Sequence, residues 1–261
     1  LAADDVDINR EILESLLRKR GAQVVCAEDG SQAVDQVSLH GAGHFDIVLM
    51  DVQMPVMDGL EATRRILELD PRLPVLALTA HALPEEGERC RNAGMVGHVP
   101  KPFDAHDMVA AIARHARHGT PRPTAATAPI PMEPPAPRTA AIAAPPLLLQ
   151  WEQALARCGG QEALLRKLVL KFVDQQASFA ERHRANPDHE ALRSVVHQFK
   201  GTTANLGMPE LSARAAALEQ ALRSDAAGPT TELDGLWSAL DATLNTHVTA
   251  LRDWLSAPVA A

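Results

Sequence analysis

Two patterns of hydrophobic positions divide the chain. Up to about residue 117, short apolar runs such as "AQVVCA", "DIVLM" and "PVLAL" alternate with segments such as "INREILESLLRKR", in which apolar residues recur every three or four positions. Short buried strands that alternate with amphipathic helices are typical of a parallel sheet covered on both faces. Residues 1–117 are therefore predicted to form an α/β domain with a doubly wound, five-stranded parallel sheet.

The pattern from residue 147 onward is helical throughout. The segments "ALLRKLVLKFVDQQASF" and "LDGLWSALDATLNTHVTALRDWL" each carry an apolar stripe with spacings of three and four residues. Such stripes need an apolar partner surface, which short connections supply in an antiparallel bundle. Pro209 follows "NLGM" and suits the first turn of a helix. Residues 147–261 are therefore predicted to form an all-α helix bundle.

The segment between these domains differs from both. Residues 118–146 contain nine of the 19 prolines and have no periodic apolar pattern. This Pro/Ala-rich linker is predicted to be an extended, semi-rigid tether, which at about 3 Å per residue would reach on the order of 90 Å at most.

The composition excludes several classes of protein. Hydrophobic residues make up 46% and charged residues 22%, a globular balance. The net charge of −8 comes mostly from residues 1–117 and argues against a nucleic-acid partner. Three widely separated cysteines without a CxxC pair argue against zinc and favour reduced thiols.

The start of the chain and its hydropathy predict a location. No apolar run approaches the roughly eighteen residues that would span a bilayer, and no signal peptide is recognisable. The chain begins at Leu1, inside a predicted strand. We expect a cytoplasmic fragment of a longer protein, without membrane contact of its own, whose parent could be anchored in the inner membrane.

Residues with complementary chemistry follow the predicted strands at their carboxyl ends. They are Asp4 and Asp5 after "LAA", Asp51 after "DIVLM", Thr79 after "PVLAL" and Lys101 after "GHVP". The carboxyl ends of parallel strands open at the same edge of a sheet, so these side chains are expected to meet there. Three carboxylates repel each other unless a cation is bound, and carboxylate oxygens with open water positions suit Mg²⁺.

This set of side chains has the chemistry of phosphoryl transfer. Mg²⁺, the Lys101 ammonium and the Thr79 hydroxyl would neutralise a phosphoryl group while Asp51 attacks it to form an acyl phosphate. Each residue alone could be an ordinary polar strand end. Five such groups at consecutive strand ends favour a site.

Residues 1–117 resemble the receiver domain of response regulators. The motifs "ADDVDINREIL", "LMDVQMPVMDGLEATRRI", "LALTA" and "GHVPKPF" occur in the order and spacing of that family. The resemblance implies a flavodoxin-like fold in which Asp51 is the phosphoacceptor. It also implies that Asp5, Asp51 and the backbone carbonyl of Gln53 bind Mg²⁺, and that Asp4 acts through the water shell of the metal.

The same resemblance assigns further roles and shows one departure. Thr79 and Lys101 would contact the phosphoryl oxygens, Gly59 would supply the turn that starts a helix, and a cis peptide bond is expected before Pro102. Three residues before the lysine the family commonly carries Tyr or Phe, but here the residue is His98. An aromatic switch that relays phosphorylation is therefore in doubt.

One histidine of the second domain lies off the apolar stripe of its helix. On a wheel of 100° per residue, His197 falls near 140° from Leu192, on the side opposite the predicted core stripe. That stripe consists of Leu192, Val195, Val196, Phe199, Thr203 and Leu206. A solvated surface histidine would have the same position, so the wheel alone leaves both interpretations open.

The neighbours of His197 favour chemistry. Gly201 lies one turn away, and glycine inside a helix costs roughly 1 kcal/mol relative to alanine, so the position needs a reason. Its lack of a side chain would let another protein approach the imidazole. Lys200 and Arg193 would supply positive charge where a phosphoryl group arrives, and neutral imidazole is an adequate nucleophile.

The segment "HQFKGTTANLG" resembles the histidine-phosphotransfer (HPt) motif, and "WEQALARCGGQEALLRKLVLKFV" resembles the preceding helices of that family. The resemblance covers about residues 148–256 and implies a four-helix bundle with a short N-terminal helix. It implies that His197 is phosphorylated, that Lys200 is an electrostatic helper and that Gly201 provides clearance. Gln198 occupies a variable position that could hydrogen-bond to a partner.

A receiver, a Pro-rich linker and an HPt domain resemble the end of an unorthodox hybrid sensor histidine kinase. We therefore expect a phosphorelay segment with two partners, an upstream histidine kinase core, expected in the same polypeptide, and a downstream response regulator receiver. The absence of GxxxxGK[ST] argues that the fragment has no ATP-binding catalytic domain. The alternative is a response regulator or adaptor with a helical, non-DNA-binding interaction domain.

Overall fold

A computed structural model describes residues 1–79, 84–117, 148–186, 188–223 and 230–256. The linker predicted for residues 118–146 lies outside the described residues.

The first domain contains a five-stranded parallel sheet with the order β2-β1-β3-β4-β5. Its strands are β1 (Ala2–Ala3), β2 (Cys26–Ala27), β3 (Val48–Asp51), β4 (Val75–Thr79) and β5 (Gly97–Pro100). The described part of β2 is shorter than the apolar run "AQVVCA" predicted, because only Cys26 and Ala27 pair with the two residues of β1. The order and the parallel pairing confirm the predicted doubly wound fold.

Five helices cover the two faces of this sheet. They are α1 (Asp7–Arg18), α2 (Gly30–His40), α3 (Gly59–Leu69), α4 (Pro84–Asn92) and α5 (Ala105–His115). Three begin after an aspartate whose side chain accepts hydrogen bonds from the first turn: Asp29 before α2, Asp58 before α3 and Asp104 before α5. These caps satisfy backbone N–H groups that a helix start leaves unpaired.

The second domain is helical, as predicted. Its helices are α6 (Trp151–Arg157), α7 (Glu162–Gln176), α8 (Phe179–His183), α9 (His189–Asn205), α10 (Pro209–Arg223) and α11 (Thr230–Ser256). The long helices α7, α9, α10 and α11 form the bundle. Phe179 does not continue the stripe of α7 but begins the separate short helix α8. None of these described helices has the length and apolar character that a bilayer crossing requires.

Buried apolar residues form two clusters. One lies on the sheet face covered by α2 and α3 and includes Ile66. The other begins on the face covered by α1 and α5, around Ile12 and Met108, and continues into the bundle core around Phe172 and Trp237. The two domains therefore share one continuous apolar cluster on the side of α1.

A buried ion pair joins Asp70 to Arg117, the last described residue of the first domain. Asp70 is 4% exposed, and its carboxylate accepts two hydrogen bonds from the Arg117 guanidinium, at 2.8 and 2.6 Å. The backbone N–H of Gly43 donates a further bond of 2.8 Å. The bonds from Arg117 outweigh burial and lower the pKa of Asp70 to about 2.

This pair predicts a pH-dependent contribution to stability. Replacing Asp70 with Asn should lower the free energy of unfolding of the receiver by about 1 to 3 kcal/mol near neutral pH, because charge-assisted bonds to buried donors are lost. The folded-state pKa of about 2 lies below the unfolded value of about 3.9. The contribution of Asp70 is therefore present above about pH 4 and is lost as the pH falls toward 2.

Urea unfolding at several pH values measures this effect. All three tryptophans lie in the second domain, so far-ultraviolet circular dichroism detects unfolding of both domains and tryptophan fluorescence reports the bundle. The exposed residue Asp35 provides the control substitution, Asp35→Asn. A deficit in the Asp70→Asn variant that stays constant from pH 7 down to pH 3 would contradict the assignment.

Candidate functional site

Three carboxylates meet at the carboxyl edge of the sheet and are called here the acid cluster. Asp4 and Asp5 follow β1, and Asp51 ends the neighbouring strand β3. Oxygen atoms of the three carboxylates lie within 4.8 Å of one another. Parallel strands bring these residues together, as predicted, because their carboxyl ends share one edge.

Lys101 connects two members of the acid cluster. Its ammonium lies 2.8 Å from Asp4 and 2.5 Å from Asp51, and its side chain is 5% exposed. Burial lowers the pKa of Lys101, but the two carboxylates outweigh burial and hold the pKa above its usual range. A buried ammonium therefore stays charged and offsets part of the negative charge at this edge.

One ammonium does not neutralise three carboxylates. Burial, opposed by Lys101 and reinforced by Asp4, raises the pKa of Asp51 above its usual range. Burial and the adjacent Asp4 likewise raise the pKa of Asp5 to about 7. Because like charges this close disfavour ionisation, the protein atoms alone leave the site short of positive charge.

Unpartnered polar atoms surround the same edge. The Oδ1 atom of Asp5 and the hydroxyl of Thr79 are buried and have no hydrogen-bond partner among the described residues. Asp4 differs, because it is fully buried and accepts hydrogen bonds from the Val6 N–H and the Asn9 amide, both at 3.0 Å. Buried polar atoms without partners are uncommon and indicate a site that binds something.

The acid cluster fits a hard divalent cation. Its donor atoms are carboxylate oxygens with one oxygen unpartnered, which is the chemistry that Mg²⁺ prefers. The predicted fourth donor, Gln53, lies two residues beyond β3, where its N–H approaches Asp51 Oδ1 at 3.4 Å.

His197 lies in a buried hydrogen-bonded network on α9. It is 7% exposed, and its Nδ1 atom lies 2.9 Å from Glu219 Oε1. The other oxygen of Glu219 accepts a bond of 2.5 Å from the Lys200 ammonium. Burial raises the pKa of Glu219, but the bonds with His197 and Lys200 outweigh it and hold the pKa far below its usual range. Glu219 is therefore an anion, and His197 Nδ1 is the donor.

Glu219 is a site residue that the sequence prediction missed. It lies on α10 at 3% exposure, adjacent to the buried stripe formed by Leu211, Ala215, Leu218 and Leu222. A carboxylate beside such a stripe must pair with a buried donor, since an unpaired buried charge is very costly. The sequence thus indicated a buried ionic contact for Glu219, but it did not identify the residue that makes this contact.

The helical wheel places His197 on the side of α9 opposite the bundle core. That side is nevertheless buried, because α10 and the receiver cover it. The two cations expected around the imidazole have different contacts. The Lys200 ammonium contacts the Glu219 carboxylate, and its role as an electrostatic helper stays a prediction. The Arg193 side chain is 43% exposed and lies 4.0 Å from Glu190, and its contribution of positive charge at the imidazole stays a prediction.

The two sites open into one small cavity. It has a volume of about 10 Å³, room for about one water molecule, and is lined on the receiver side by Asp51 and Lys101 and on the bundle side by His197, Gln198 and Gly201. A Cβ atom added to Gly201 would meet only the Cδ atom of Lys101, at 3.9 Å. The histidine face of the bundle therefore lies directly over the acid cluster, and Gly201 lies against Lys101.

Direct hydrogen bonds hold the two faces together. The Gln198 amide donates to Asp5 Oδ2. The fully buried Asn205 accepts a bond from the Phe103 N–H and donates one to Asn9, both 2.9 Å long. Asn9 in turn donates to Asp4, so the bond network continues from α9 into the acid cluster.

Two other predictions concern the receiver. The peptide bond between Lys101 and Pro102 is cis, as expected. Gly59 begins α3, and a Cβ atom there would lie 2.0 Å from the carbonyl oxygen of Asp51, so only glycine fits this approach. His98, at the position where an aromatic residue is common, is exposed on β5.

Comparisons with known proteins match both halves of the chain. The response regulator receiver domain family matches residues 1–113, and the Hpt domain family matches residues 144–254. A solved receiver domain of the sensor histidine kinase PA1611 from Pseudomonas aeruginosa, with magnesium in its active-site cleft, is 35% identical. It covers 44% of this chain and 93% of that chain, with a TM-score of 0.41.

Longer relatives contain both domains. Sensor protein GacS of Pseudomonas syringae pv. syringae is 30% identical over 234 residues, which cover 87% of this chain and 25% of that protein. The signal transduction histidine-protein kinase BarA of Escherichia coli is 28% identical over 86% of this chain and 24% of that protein. The chain thus spans about a quarter of the length of these relatives. Residues 1–113 thus belong to the response regulator receiver domain family, and residues 144–254 belong to the Hpt domain family.

Proposed function

We propose that Asp51 accepts a phosphoryl group and passes it to His197 of the same chain, which then donates it to a separate response regulator. The observation that supports this order is the shared cavity, which both side chains line. Phosphoryl transfer requires the reacting atoms to be close together with little solvent between them, and a cavity between the two residues with room for about one water molecule provides that condition.

The acid cluster is suited to the accepting step. Asp5, Asp51 and the Gln53 carbonyl would hold Mg²⁺, with Asp4 acting through water. When bound, the cation supplies positive charge to the oxygens of the transferring group. Lys101 lies against Asp51 and would contact the same oxygens, and the unpartnered Thr79 hydroxyl would donate to one of them.

The second step exchanges one phosphorus bond for another. The Nδ1–H of His197 donates to Glu219, so the lone pair of the ring is on Nε2. Nε2 attacks the phosphorus, the bond from phosphorus to the Asp51 carboxylate oxygen breaks, and Asp51 regains its negative charge. The proton stays on Nδ1, and the anionic Glu219 stabilises the positive charge that develops on the imidazole ring.

Onward donation requires the two domains to separate. With the receiver bound, His197 is only 7% exposed, and its face contacts the receiver through Gln198 and Asn205. A downstream receiver would need the same face. Internal transfer and onward transfer therefore use this surface in turn.

The remaining partners follow from this role. The phosphoryl group would come from the histidine of an upstream kinase core, expected in the same polypeptide, whose parent protein could be membrane-anchored. The alternative, an adaptor that only docks, is disfavoured because an adaptor has no need for His197, Glu219 and Lys200 in a buried network over the acid cluster.

Labelling of the full chain with a small acyl phosphate and Mg²⁺ tests the proposal. We expect the wild-type chain to form aspartyl phosphate and then acid-labile phosphohistidine. Asp51→Asn should form neither, whereas His197→Gln should retain the aspartyl phosphate and form no phosphohistidine. Normal labelling of Asp51→Asn, or phosphohistidine in His197→Gln, would exclude the assigned residues.

Replacing Glu219 with Gln tests the positioning of His197. The change leaves the Lys200 ammonium buried without its carboxylate and removes the charge that stabilises the imidazole. Loss of hydrogen bonds to charged groups should slow transfer from Asp51 to His197 by about ten- to a hundredfold. Labelling of Asp51 itself should be unchanged. Glu210→Gln, at an exposed position of the same helix, is the control, and an equal loss in both variants would contradict the role of Glu219.

Replacing Gly59 with alanine should have the opposite effect of replacing Gly201 with alanine. Gly59→Ala forces its Cβ into the Asp51 carbonyl and should destabilise the receiver by about 1 to 3 kcal/mol and impair aspartyl labelling. Gly201→Ala makes only an ordinary contact with Lys101, so transfer to His197 should remain close to that of wild type. The bundle should gain up to about 1 kcal/mol of stability. Gly201→Leu should block transfer, and its normal transfer would exclude the close approach at Gly201.

A further inference from the structure

Two polar stripes meet where helix α1 of the receiver packs against helix α7 of the bundle. On α1, Asp7, Glu11 and Ser15 follow each other at intervals of four residues and therefore share one face. On α7, Lys167, Lys171 and Gln175 do the same; these three residues are called here the docking stripe.

The contacts between the stripes run in antiparallel register. Lys171 lies 2.7 Å from Asp7 and 2.9 Å from Glu11, and Lys167 lies 2.7 Å from Glu11. Gln175 donates to Asp7 at 3.1 Å. Further along α1, Ser15 accepts a bond of 2.7 Å from the side chain of Gln161, which precedes α7.

The ionic pairs remain charged near neutral pH. Partial burial raises the pKa of Asp7 and of Glu11, but hydrogen bonds from the lysines outweigh burial, so both pKa values lie below their usual range. Burial lowers the pKa of Lys171, and the two acids outweigh it in the same way. Two anions therefore face two cations across the interface.

The exposure of these pairs decides what they can do. The side chain of Lys167 is 64% exposed and that of Lys171 is 29% exposed. Pairs with this exposure add little stability, because water screens the attraction and the long side chains lose entropy. They do guide the receiver toward the bundle as the two meet. They also disfavour a receiver that lacks acids at these positions, because it would leave the two lysines unpaired or facing like charges. These pairs therefore contribute more to the choice of receiver than to the stability of the protein.

We propose that the docking stripe selects the receiver of its own chain as the phosphoryl donor to His197, by pairing Lys167 and Lys171 with Asp7 and Glu11. The proposal rests on the proposed transfer from Asp51 to His197 and adds the residues that determine which receiver is accepted. The recognised feature is a receiver α1 helix with two acidic residues spaced four apart. The buried Asn205 then aligns the two sites through neutral hydrogen bonds.

A charge-reversal cycle in the full chain tests this proposal. The four proteins are the wild type, Asp7→Lys/Glu11→Lys, Lys167→Glu/Lys171→Glu and the chain with all four substitutions. At low ionic strength, each single-sided reversal should slow transfer from Asp51 to His197 by about tenfold or more, because like charges then face each other. The fourfold variant should recover most of the wild-type rate. Salt near 0.5 M should reduce these differences.

Two measurements separate the possible failures. Aspartyl labelling should be the same in all four chains, which shows that the receiver is folded and active. If the wild type forms no phosphohistidine, the proposed transfer itself fails. If the wild type transfers but single-sided reversals have no effect, or the fourfold variant stays as slow as they are, the docking stripe does not select.

Matched controls and dilution complete the test. Asp35→Lys/Glu68→Lys and Arg214→Glu/Arg252→Glu change the charge by the same amount at exposed positions and should leave the transfer rate unchanged. A second copy of the chain offers the same acids, so the transfer rate is also measured over a tenfold dilution. A constant first-order rate supports the receiver of the same chain. A rate that falls in proportion to concentration identifies the receiver of a second copy and overturns the proposal.

Discussion

The excess of buried negative charge at the carboxyl edge of the sheet is the constraint on which the site depends. Three carboxylates converge there, and among the described residues the Lys101 ammonium is the cation that contacts two of them. Burial, reinforced by the neighbouring Asp4, raises the pKa of Asp51 and of Asp5. A divalent cation is the ligand that such a site favours, and a phosphoryl group on Asp51 can be accommodated only while that positive charge is present.

The histidine site has the opposite balance. There, one anion, Glu219, is surrounded by the imidazole of His197, the ammonium of Lys200 and the guanidinium of Arg223. Positively charged surroundings attract an arriving phosphoryl group, which is an anion. The acid cluster repels such a group unless a cation is bound. The docked domains place these two environments on either side of one cavity. In the proposed transfer, the direction would depend on which of the two sides is better neutralised.

Much of the fold and of the receiver site could be predicted from local patterns. Strand and helix periodicities identified the sheet and the bundle, since they depend only on which face of each element is buried. The convergence of Asp4, Asp5, Asp51 and Lys101 followed from one rule about parallel sheets. Glu219 and Asn205 were missed for the same physical reason. Their partners lie on other helices, and a helical wheel contains no information about what covers the far side of a helix.

The sequence by itself therefore determined the two domains, the convergence of the receiver side chains at one edge of the sheet and the presence of a glycine one turn from His197. These features depend on spacing along the chain and on the intrinsic properties of side chains. Only the tertiary structure decided that His197 is buried against Glu219 and that the docking stripe meets α1 in antiparallel register. It also decided that alanine fits at Gly201 but not at Gly59. Each of these features depends on distances between elements that are far apart in the sequence. Tertiary packing determines those distances, and the local sequence pattern does not.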